Sequence, residues 1–300
     1  MKKIKVAIIG YGNIGKGAYE AISATNDMET AGVVIRDTSK AEEKGVPTGL
    51  KVSEKIEGLG TVDVALLCVP SRTITDVAIP LLEKGINTVD SYDIHSDIYD
   101  VQKKLTKAAH AGNSVSIISA GWDPGTDSML RCLLEAAAPR GITYTNFGPG
   151  MSMGHTVAVK NIKGVKNALS ITIPKGTGLH RRMVYIEVLK KEDFPQISDS
   201  IKKDPYFIND ETHVTLVDDI NALKDVGHGV NMSRKGVSGT TGNQLFEFDM
   251  RINNPALTAQ IMVSCARASK RQPPGCYTML EIPMIDLLEG ERENIIRRLV

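Results

Sequence analysis

The sequence predicts an α/β fold: a doubly wound parallel sheet at the N-terminus, followed by an α+β domain with a mixed or antiparallel sheet. Short apolar segments alternate with helical segments through residues 4–119. One apolar segment, residues 62–69, is hydrophobic almost throughout, which is typical of a strand buried on both faces. After Gly121 the apolar residues alternate with polar ones over longer runs, as expected for strands with one covered face.

The elements of the first part follow each other in β-α order, which favours parallel pairing. We predict strands at residues 4–9, 30–35, 62–69, 87–89 and 114–119, and helices at residues 15–24, 74–84 and 97–111. Pro70 ends the third strand, and Gly85 is placed to cap the C-terminus of the second helix.

The later elements are a helix at residues 127–138 and strands at residues 168–174, 181–189, 213–217 and 245–252. Asn254 and Pro255 suit the start of a helix that runs to about residue 270. An amphipathic helix at residues 291–299 follows. We therefore expect a first domain at residues 1–120, a second at 121–270, and a segment at 271–300 that returns to the first.

The composition excludes several classes of protein. The 300 residues, 42% of them hydrophobic, can bury a core in each of two domains. The net charge of +1 provides no basic surface for nucleic acid or membranes. No apolar run reaches transmembrane length. The cysteines have no Cys-x-x-Cys or metal-ligand spacing; they are Cys68, Cys132, Cys265 and Cys276. We expect reduced thiols, no metal and a cytoplasmic location.

A glycine-rich loop joins the first predicted strand to the first helix. Gly10-Tyr11-Gly12-Asn13-Ile14-Gly15 has G-x-G-x-x-G spacing. Gly10 permits a tight turn, Gly12 leaves room for a pyrophosphate, and Gly15 lets helix and strand pack closely. The helix N-terminus then offers N–H groups to the phosphates. An ordinary glycine turn is the alternative, but the position directly after a strand favours a Rossmann domain that binds a dinucleotide.

The end of the second predicted strand favours NADP over NAD. Arg36 lies where an NAD-binding protein has the acidic residue that binds the ribose 2′-hydroxyl. An arginine there suits the 2′-phosphate, and Thr38, Ser39 and Lys40 can add donors. Asp37 would repel a phosphate unless it points away and caps the following turn. A solvated surface charge is the alternative for Arg36.

The loop that ends the long buried strand is Cys68-Val69-Pro70-Ser71-Arg72-Thr73. Doubly wound sheets bind ligands beyond the carboxyl ends of their strands. We therefore expect this loop to border the cofactor, with Ser71 and Thr73 as donors. Either hydroxyl can instead cap the next helix.

Two more loops leave strand ends at the same predicted edge. They are Asp90-Ser91-Tyr92-Asp93-Ile94-His95 and Ala120-Gly121-Trp122-Asp123-Pro124-Gly125-Thr126-Asp127. Carboxylates there can hold an ammonium group or transfer a proton, and Trp122 can exclude water. The alternatives are that Asp93 is a turn residue, Asp127 a helix N-cap and Trp122 a core residue.

Several segments together closely resemble the meso-diaminopimelate D-dehydrogenase family. The resemblance runs from Lys5 to the C-terminus, and the segments after Asp90 are much more specific than the glycine loop. Besides the glycine loop, the segments are Asp90-Ser91-Tyr92-Asp93-Ile94-His95, Gly121-Trp122-Asp123-Pro124-Gly125, Asn146-Phe147-Gly148-Pro149-Gly150-Met151-Ser152-Met153-Gly154-His155, Gly178-Leu179-His180-Arg181-Arg182-Met183 and Arg251-Ile252-Asn253-Asn254-Pro255-Ala256-Leu257-Thr258.

The resemblance implies a homodimeric bacterial enzyme whose second domain binds substrate and forms the dimer. It implies oxidative deamination of the D-centre of meso-diaminopimelate with NADP, giving L-2-amino-6-oxopimelate and ammonia. The reaction runs in reverse for lysine and cell-wall precursor synthesis.

The expected active-site residues follow from the resemblance and the strand-end loops. Asp93 and Asp123 are expected to act at the reacting centre. The implied substrate contacts are Trp122, Phe147, Met153, Gly154, Thr172, Arg182, His228 and Asn254. The expected cofactor contacts are Gly10, Tyr11, Gly12, Asn13, Ile14, Gly15, Arg36, Asp37, Thr38, Cys68, Val69, Pro70, Ser71, Thr73, Ser91, Tyr92, Asp93, Gly121, Trp122, Pro124 and Gly125.

The substrate's two ammonium groups and two carboxylates match this set. The resemblance implies that Thr172, Arg182, His228 and Asn254 hold the carboxylate remote from the hydride. Structural alternatives exist for three of them. His228 lies between two glycines and suits a turn, Arg182 can pair with an acid on a neighbouring strand, and Thr172 is common in strands.

One departure from the family concerns the adenosine end, where many members have two adjacent arginines and this chain has Arg36 followed by Asp37. The alternatives to the family activity are another two-domain NADP oxidoreductase of amino-acid metabolism and a non-catalytic NADP-sensing protein. Neither accounts for the carboxylates in the two strand-end loops.

Overall fold

The computed structural model describes residues 3–223 and 228–300. The chain forms two compact units: Leu133–Asn254 is the second, and the residues up to Cys132 together with Pro255–Val300 are the first. The sequence predicts domain boundaries at residues 120 and 270. In the structure, residues 121–132 and 255–270 belong instead to the first unit. Ala259, Met262 and Val263, for example, are fully buried in its core.

The elements of the described residues are numbered in chain order. The strands are β1 (Ile4–Ile9), β2 (Met28–Val34), β3 (Val52–Ser53), β4 (Val64–Leu67), β5 (Asn87–Asp90), β6 (Val115–Ile117), β7 (Arg140–Phe147), β8 (Gly150–Met151), β9 (Val165–Gly176), β10 (Leu179–Val188), β11 (Glu211–Leu216), β12 (His228–Ser238), β13 (Thr241–Ile252) and β14 (Gly275–Tyr277). The helices are α1 (Asn13–Ser23), α2 (Ile74–Glu83), α3 (Ile98–Ala111), α4 (Thr126–Ala137), α5 (Met153–Lys160), α6 (Phe194–Lys203), α7 (Asn254–Ser269) and α8 (Arg292–Leu299).

The first unit is built on a parallel sheet. Among the described residues it has seven strands, in the order β14-β6-β5-β4-β1-β2-β3, and all the pairs are parallel. The central strand β4 is buried along its whole length. Each face of the sheet carries its own apolar cluster, one including α1 and α7 and the other α2 and α3. This confirms the predicted Rossmann-type sheet.

The second unit has mixed and antiparallel sheets, as the sequence predicts. Within the described residues one sheet has the order β11-β10-β9-β8 and the other β13-β12-β7. In the first sheet β10 pairs antiparallel with β9 and parallel with β11. An apolar cluster including Val159 and Ile201 packs α5 and α6 against this sheet.

Helix ends follow local signals in the sequence. Gly85 has a φ of +79° and lies two residues after the end of α2, and its N–H donates to the Leu82 carbonyl at 2.9 Å. It therefore ends the helix as predicted. None of the helices in the part of the chain that the structure describes combines the length and hydrophobicity of a membrane span.

The connection from β1 to α1 depends on two crowded glycines. Gly10 has a φ of +91°, and a Cβ there would lie 2.4 Å from the Cys68 carbonyl oxygen. A Cβ on Gly15 would lie 2.3 Å from the Gly10 carbonyl oxygen. A Cβ on Gly12, whose φ is −85°, would have no neighbour within 4 Å. Two glycines therefore serve packing, and Gly12 faces open space.

We predict that Gly15→Ala lowers the free energy of unfolding by about 1–3 kcal/mol, the usual cost of overpacking. The reason is the approach of the new methyl group to the Gly10 carbonyl. Urea titration followed by circular dichroism measures the effect. Gly12→Ala is the matched control and should leave the transition midpoint unchanged. Equal losses in the two variants would contradict the packing role of Gly15.

Candidate active site

The glycine loop leaves the N-terminus of α1 accessible to an anion. Gly12 is the N-cap residue and provides no side chain, and the first turn of α1 contains no acidic residue. Asn13 and Ile14 begin the helix, while Tyr11 is buried in the core. The open space beside Gly12 and the dipole of α1 fit a dinucleotide pyrophosphate.

Asp37 is held by the turn that follows it. Its Oδ1 accepts hydrogen bonds from the Ser39 N–H at 3.1 Å and the Ser39 hydroxyl at 2.6 Å, so Asp37 caps the turn Thr38–Lys40. Lys40 lies 3.9 Å from the other carboxylate oxygen. Arg36 is exposed. The carboxylate is thus partly neutralised by its own turn.

The loop after β4 contacts the loop after β5. The Ser71 hydroxyl donates to Asp93 Oδ1 at 2.6 Å, and the Asp93 N–H donates back to Ser71 Oγ at 3.3 Å. The Thr73 hydroxyl donates instead to the Pro70 carbonyl at 2.8 Å. Burial raises the pKa of the Cys68 thiol to about 12. Ser71 thus holds one oxygen of Asp93 and joins the two loops.

A buried carboxyl group, that of Asp90, joins the loops after β5 and β6. Its Oδ1 accepts from the Tyr92 N–H at 2.9 Å and the Ser119 N–H at 3.3 Å, while the Ala120 N–H donates to the Asp90 carbonyl at 2.8 Å. Burial raises its pKa to about 7, although the two N–H donors oppose the rise. The motif contained Asp90, but the sequence analysis gave it no role.

The loop after β6 carries Trp122 and Asp123. Trp122 is 5% exposed, and both terminal nitrogens of Arg131 donate to Asp123 Oδ1 at 3.0 Å. Gly121, Pro124 and Gly125 are buried parts of the same turn. Arg131 lies on α4, outside the segments that resemble the family, and no pattern in the sequence singled it out.

In the second unit, aromatic rings surround Phe147. The His228 ring stacks at 6.3 Å between centroids, and the His180 ring lies at 5.8 Å. The Phe147 N–H donates to His180 Nε2 at 2.8 Å, which requires that nitrogen to be unprotonated. Burial lowers the pKa of both histidines, and the Arg182 charge lowers them further. His228 begins β12; Gly227, which the sequence analysis used to propose a turn, lies outside the described residues.

Arg182 has two partners inside the second unit. Its Nε donates to Asp210 Oδ2 at 2.6 Å and its Nη1 donates to the Thr172 hydroxyl. Arg182 and Thr172 face each other across β10 and β9. Arg182 thus pairs with an acid, as its structural alternative expects, although Asp210 directly precedes the neighbouring strand β11 and does not lie on it. The structure also shows an arginine that is oriented and nearly buried beside two histidines.

The start of α5 adjoins the same group. Met153 and Gly154 are its first residues and are exposed. The Ser152 hydroxyl lies 2.7 Å from His155 Nδ1. Burial, followed by the Arg182 charge, lowers the pKa of His155 to about 4, so this ring is neutral. Asn254 begins α7 at the end of the second unit.

The structure thus brings together some of the predicted residues within each unit. The structure brings Ser71 to Asp93 in the first unit and Phe147, Thr172, Arg182 and His228 together in the second. It adds residues that the sequence analysis did not select: Asp90, Arg131, His155, His180 and Asp210. His155 and His180 lie inside the quoted motifs, so they could have been found. No group of three or more potential metal ligands occurs within residues 3–223 and 228–300.

Comparison with known proteins gives matches over the whole chain. Residues 4–118 match the model of the oxidoreductase family with an NAD-binding Rossmann fold, and residues 121–181 match the diaminopimelic acid dehydrogenase C-terminal domain. The chain is 60% identical over 303 residues to meso-diaminopimelate D-dehydrogenase of Bacteroides fragilis, with 100% of both chains covered.

Solved structures agree with the sequence matches. The DAP dehydrogenase of C. glutamicum in complex with DAP is similar with a TM-score of 0.90 at 28% identity, and an engineered D-amino acid dehydrogenase bound to NADP+ with a TM-score of 0.83 at 28% identity. Both comparisons cover 100% of each chain. With the carboxylates of the first unit and the arginine group of the second, these matches show that the chain belongs to the meso-diaminopimelate D-dehydrogenase family.

Proposed function

We propose that this amino-acid dehydrogenase oxidises the D-centre of meso-2,6-diaminopimelate with NADP. The products are L-2-amino-6-oxopimelate and ammonia, and the reaction is reversible and serves lysine and cell-wall precursor synthesis. The observation that carries the proposal is that one chain provides two chemically opposite groups. Oriented carboxylates lie in the first unit, and an oriented arginine lies beside neutral histidines in the second. We further propose a cytoplasmic homodimer.

The cofactor assignment rests on the first unit. The open space at Gly12 and the uncapped N-terminus of α1 accommodate a pyrophosphate. Exposed Arg36 offers a charge-assisted contact to a 2′-phosphate, and the turn at Asp37 keeps the carboxylate occupied with Ser39. The engineered D-amino acid dehydrogenase that the chain resembles is bound to NADP+.

The proposed roles of Asp93 and Asp123 follow from proton balance. NADP supplies the hydride acceptor when bound. The substrate nitrogen must lose a proton as the α-hydrogen leaves, and water must then add to the imine carbon. Ser71 holds Asp93 and Arg131 holds Asp123, so each carboxylate keeps one oxygen for the ammonium group or its proton. Trp122 excludes water beside them.

The second unit's group is proposed to select the remote end of the substrate. Nε of Arg182 is held by Asp210 and Nη1 by Thr172, so the guanidinium has a fixed orientation toward a planar carboxylate. Neutral His228 adds a hydrogen bond without repelling Arg182, and we assign Asn254, Phe147, Met153 and Gly154 to the same end.

Arg36→Ala is expected to weaken NADP binding about tenfold or more, the size of a charge-assisted hydrogen bond, and to leave NAD binding nearly unchanged. Calorimetric titration with both cofactors measures this. Gly12→Ala is the control and should weaken both, because its methyl group enters the pyrophosphate space. Equal losses for both cofactors in Arg36→Ala would show that Arg36 does not bind the phosphate.

Asp93→Asn and Asp123→Asn should each lower kcat/KM for meso-diaminopimelate by about 10²–10⁴-fold, the range of general acid–base catalysis. The amide keeps size and most hydrogen bonding but removes the charge. Both variants should fold normally and bind NADP, as thermal melts and cofactor titration will show. Near-normal kinetics in both variants would exclude the proposed roles, whereas lost thermal stability with unchanged kinetics would favour turn capping.

Replacing the arginine group should alter substrate choice more than chemistry. Arg182→Met leaves the acid Asp210 without its partner, so the double variant Arg182→Met/Asp210→Asn is the cleaner test. It should reduce kcat/KM for meso-diaminopimelate about 10³-fold or more, because a carboxylate loses its hydrogen bonds, and spare simple D-amino acids such as D-alanine. His228→Asn should act in the same direction. Proportional losses for both substrates would show that these residues serve the fold or the reacting end.

A further inference from the structure

Asp127 carries a buried carboxyl group that has no role in the proposed reaction as described above. It lies in the first turn of α4 and is 0% exposed. Among the described residues, neither of its oxygens makes a hydrogen bond of ordinary length and angle, although the Trp122 side chain acts on the carboxyl group as a hydrogen-bond donor. Buried polar groups are usually hydrogen-bonded, so an exception of this kind needs an explanation.

Capping of α4 does not explain Asp127. The N–H groups at the start of the helix donate to backbone carbonyls: Thr126 to Gly121 at 3.0 Å, Asp127 to Trp122 at 3.0 Å, and Met129 to Gly125 at 3.1 Å. The side chain of Asp127 accepts none of them. The N-cap alternative raised by the sequence is therefore wrong for this residue.

Asp127 shares a cation with Asp123. Arg131 follows it by one turn of α4, and Arg131 Nη2 lies 4.0 Å from Asp127 Oδ2 and 3.0 Å from Asp123 Oδ1. The charged groups that act on Asp127 are thus Asp123, on the loop before α4, and Arg131, on α4 itself. The indole of Trp122 also acts on it, as a neutral hydrogen-bonding group.

The net charge of the cluster formed by Asp123, Asp127 and Arg131 depends on whether Asp127 is protonated. Asp123 and Arg131 cancel each other, so the cluster is neutral when Asp127 is protonated and carries one negative charge when Asp127 is ionised. A net negative charge favours an ammonium group at Asp123, since Arg131 is then shared between two carboxylates.

We propose that Asp127 is a positioning residue that acts through Arg131 on Asp123, so that its ionisation strengthens the grip of the cluster on the cationic nitrogen of the substrate. This rests on the proposed function, in which Asp123 contacts that nitrogen.

The carboxyl group of Asp127 titrates near neutral pH. Burial raises its pKa to about 7, and the charge of Asp123 adds to the rise, while Arg131 and Trp122 oppose it. The group is protonated below that pH and ionised above it. kcat/KM for the ammonium-bearing substrate should therefore rise with a midpoint near pH 7, through a lower KM at nearly constant kcat.

Asp127→Asn tests this, because the amide imitates the protonated acid and fixes the cluster as neutral. The variant should lose the component of the kcat/KM profile with a midpoint near pH 7, and at about pH 8 its KM should be about tenfold higher, the effect of one pKa unit. Asp100→Asn, at an exposed aspartate paired with Lys103 on α3, is the matched control and should keep the profile.

A second readout needs no turnover. Trp122 is the only tryptophan in the sequence, so the intrinsic fluorescence of the substrate-free protein reports on this cluster. Its emission should titrate with a midpoint near pH 7 in the parent and in Asp100→Asn, and Asp127→Asn should lose the part of this change that belongs to Asp127. Burial also raises the pKa of Asp90 to about 7, but Asp90 is present in all three proteins, so the difference between them is assigned to Asp127.

The outcomes separate the two proposals. If the parent protein is inactive with meso-diaminopimelate but its fluorescence titrates with a midpoint near pH 7, the proposed function is contradicted, whereas the titration of Asp127 within the cluster is supported. An active parent whose pH profile, KM and fluorescence titration are all retained in Asp127→Asn overturns the role of Asp127. Loss of kcat alone, with the pH profile unchanged, also overturns it, because that is the result of a purely structural defect.

Discussion

Because β1, β4, β5 and β6 run parallel and pair in register, the chain repeatedly leaves the sheet at the same edge. Leu67 of β4 pairs with Asp90 of β5, so the loops that follow these two strands begin side by side. Ser71 of one loop can therefore donate a hydrogen bond to Asp93 of the other. The buried carboxyl of Asp90 then extends the connection to Ser119. A register slip of one residue would turn Asp90 to the other face and separate these contacts.

Both units orient an arginine with an acid from a neighbouring segment. Arg131 is held by Asp123 in the first unit, and Arg182 by Asp210 in the second. A buried charge is costly without a partner, and a long side chain loses rotamer freedom when it is held. In the second unit the acid Asp210 accepts a hydrogen bond from Nε of Arg182, and the terminal nitrogen Nη1 donates to the Thr172 hydroxyl. In the first unit both terminal nitrogens bind one carboxylate oxygen, so the acid is positioned as firmly as the arginine.

The sequence predicts the sheet of the first unit well because buried parallel strands and glycine turns have strong local signals. Strand β1 has the predicted bounds, and α2 ends within one residue of the predicted position. The short strand β14 has no such signal, since three residues with a glycine resemble a loop and acquire strand geometry only by pairing with β6. Helix α6 had a usable signal in Pro195 near its start, which the sequence analysis did not use.

The site residues also differ in whether the sequence predicts them. Residues inside motifs, such as Asp93 and Arg182, are visible from their neighbours along the chain. Their partners are not, because Arg131 and Asp210 are ordinary charged residues until the fold brings them to a carboxylate or a guanidinium. The raised pKa of Asp127 cannot be predicted from the sequence for a further reason. It depends on complete burial of the side chain, and no pattern in the neighbouring residues specifies that burial.

The position of β14 in the first sheet affects how the chain is completed during synthesis. Its partner β6 ends at Ile117, whereas β14 begins at Gly275, after the whole of the second unit. Helix α7, which supplies core residues to the same sheet, also follows the second unit. A ribosome therefore releases the second unit before the first can close its sheet, and a nascent chain must keep an unpaired strand edge and an uncovered apolar face in the meantime. Such surfaces attract other chains, so this order of elements exposes the emerging polypeptide to aggregation until α7 and β14 have been synthesised.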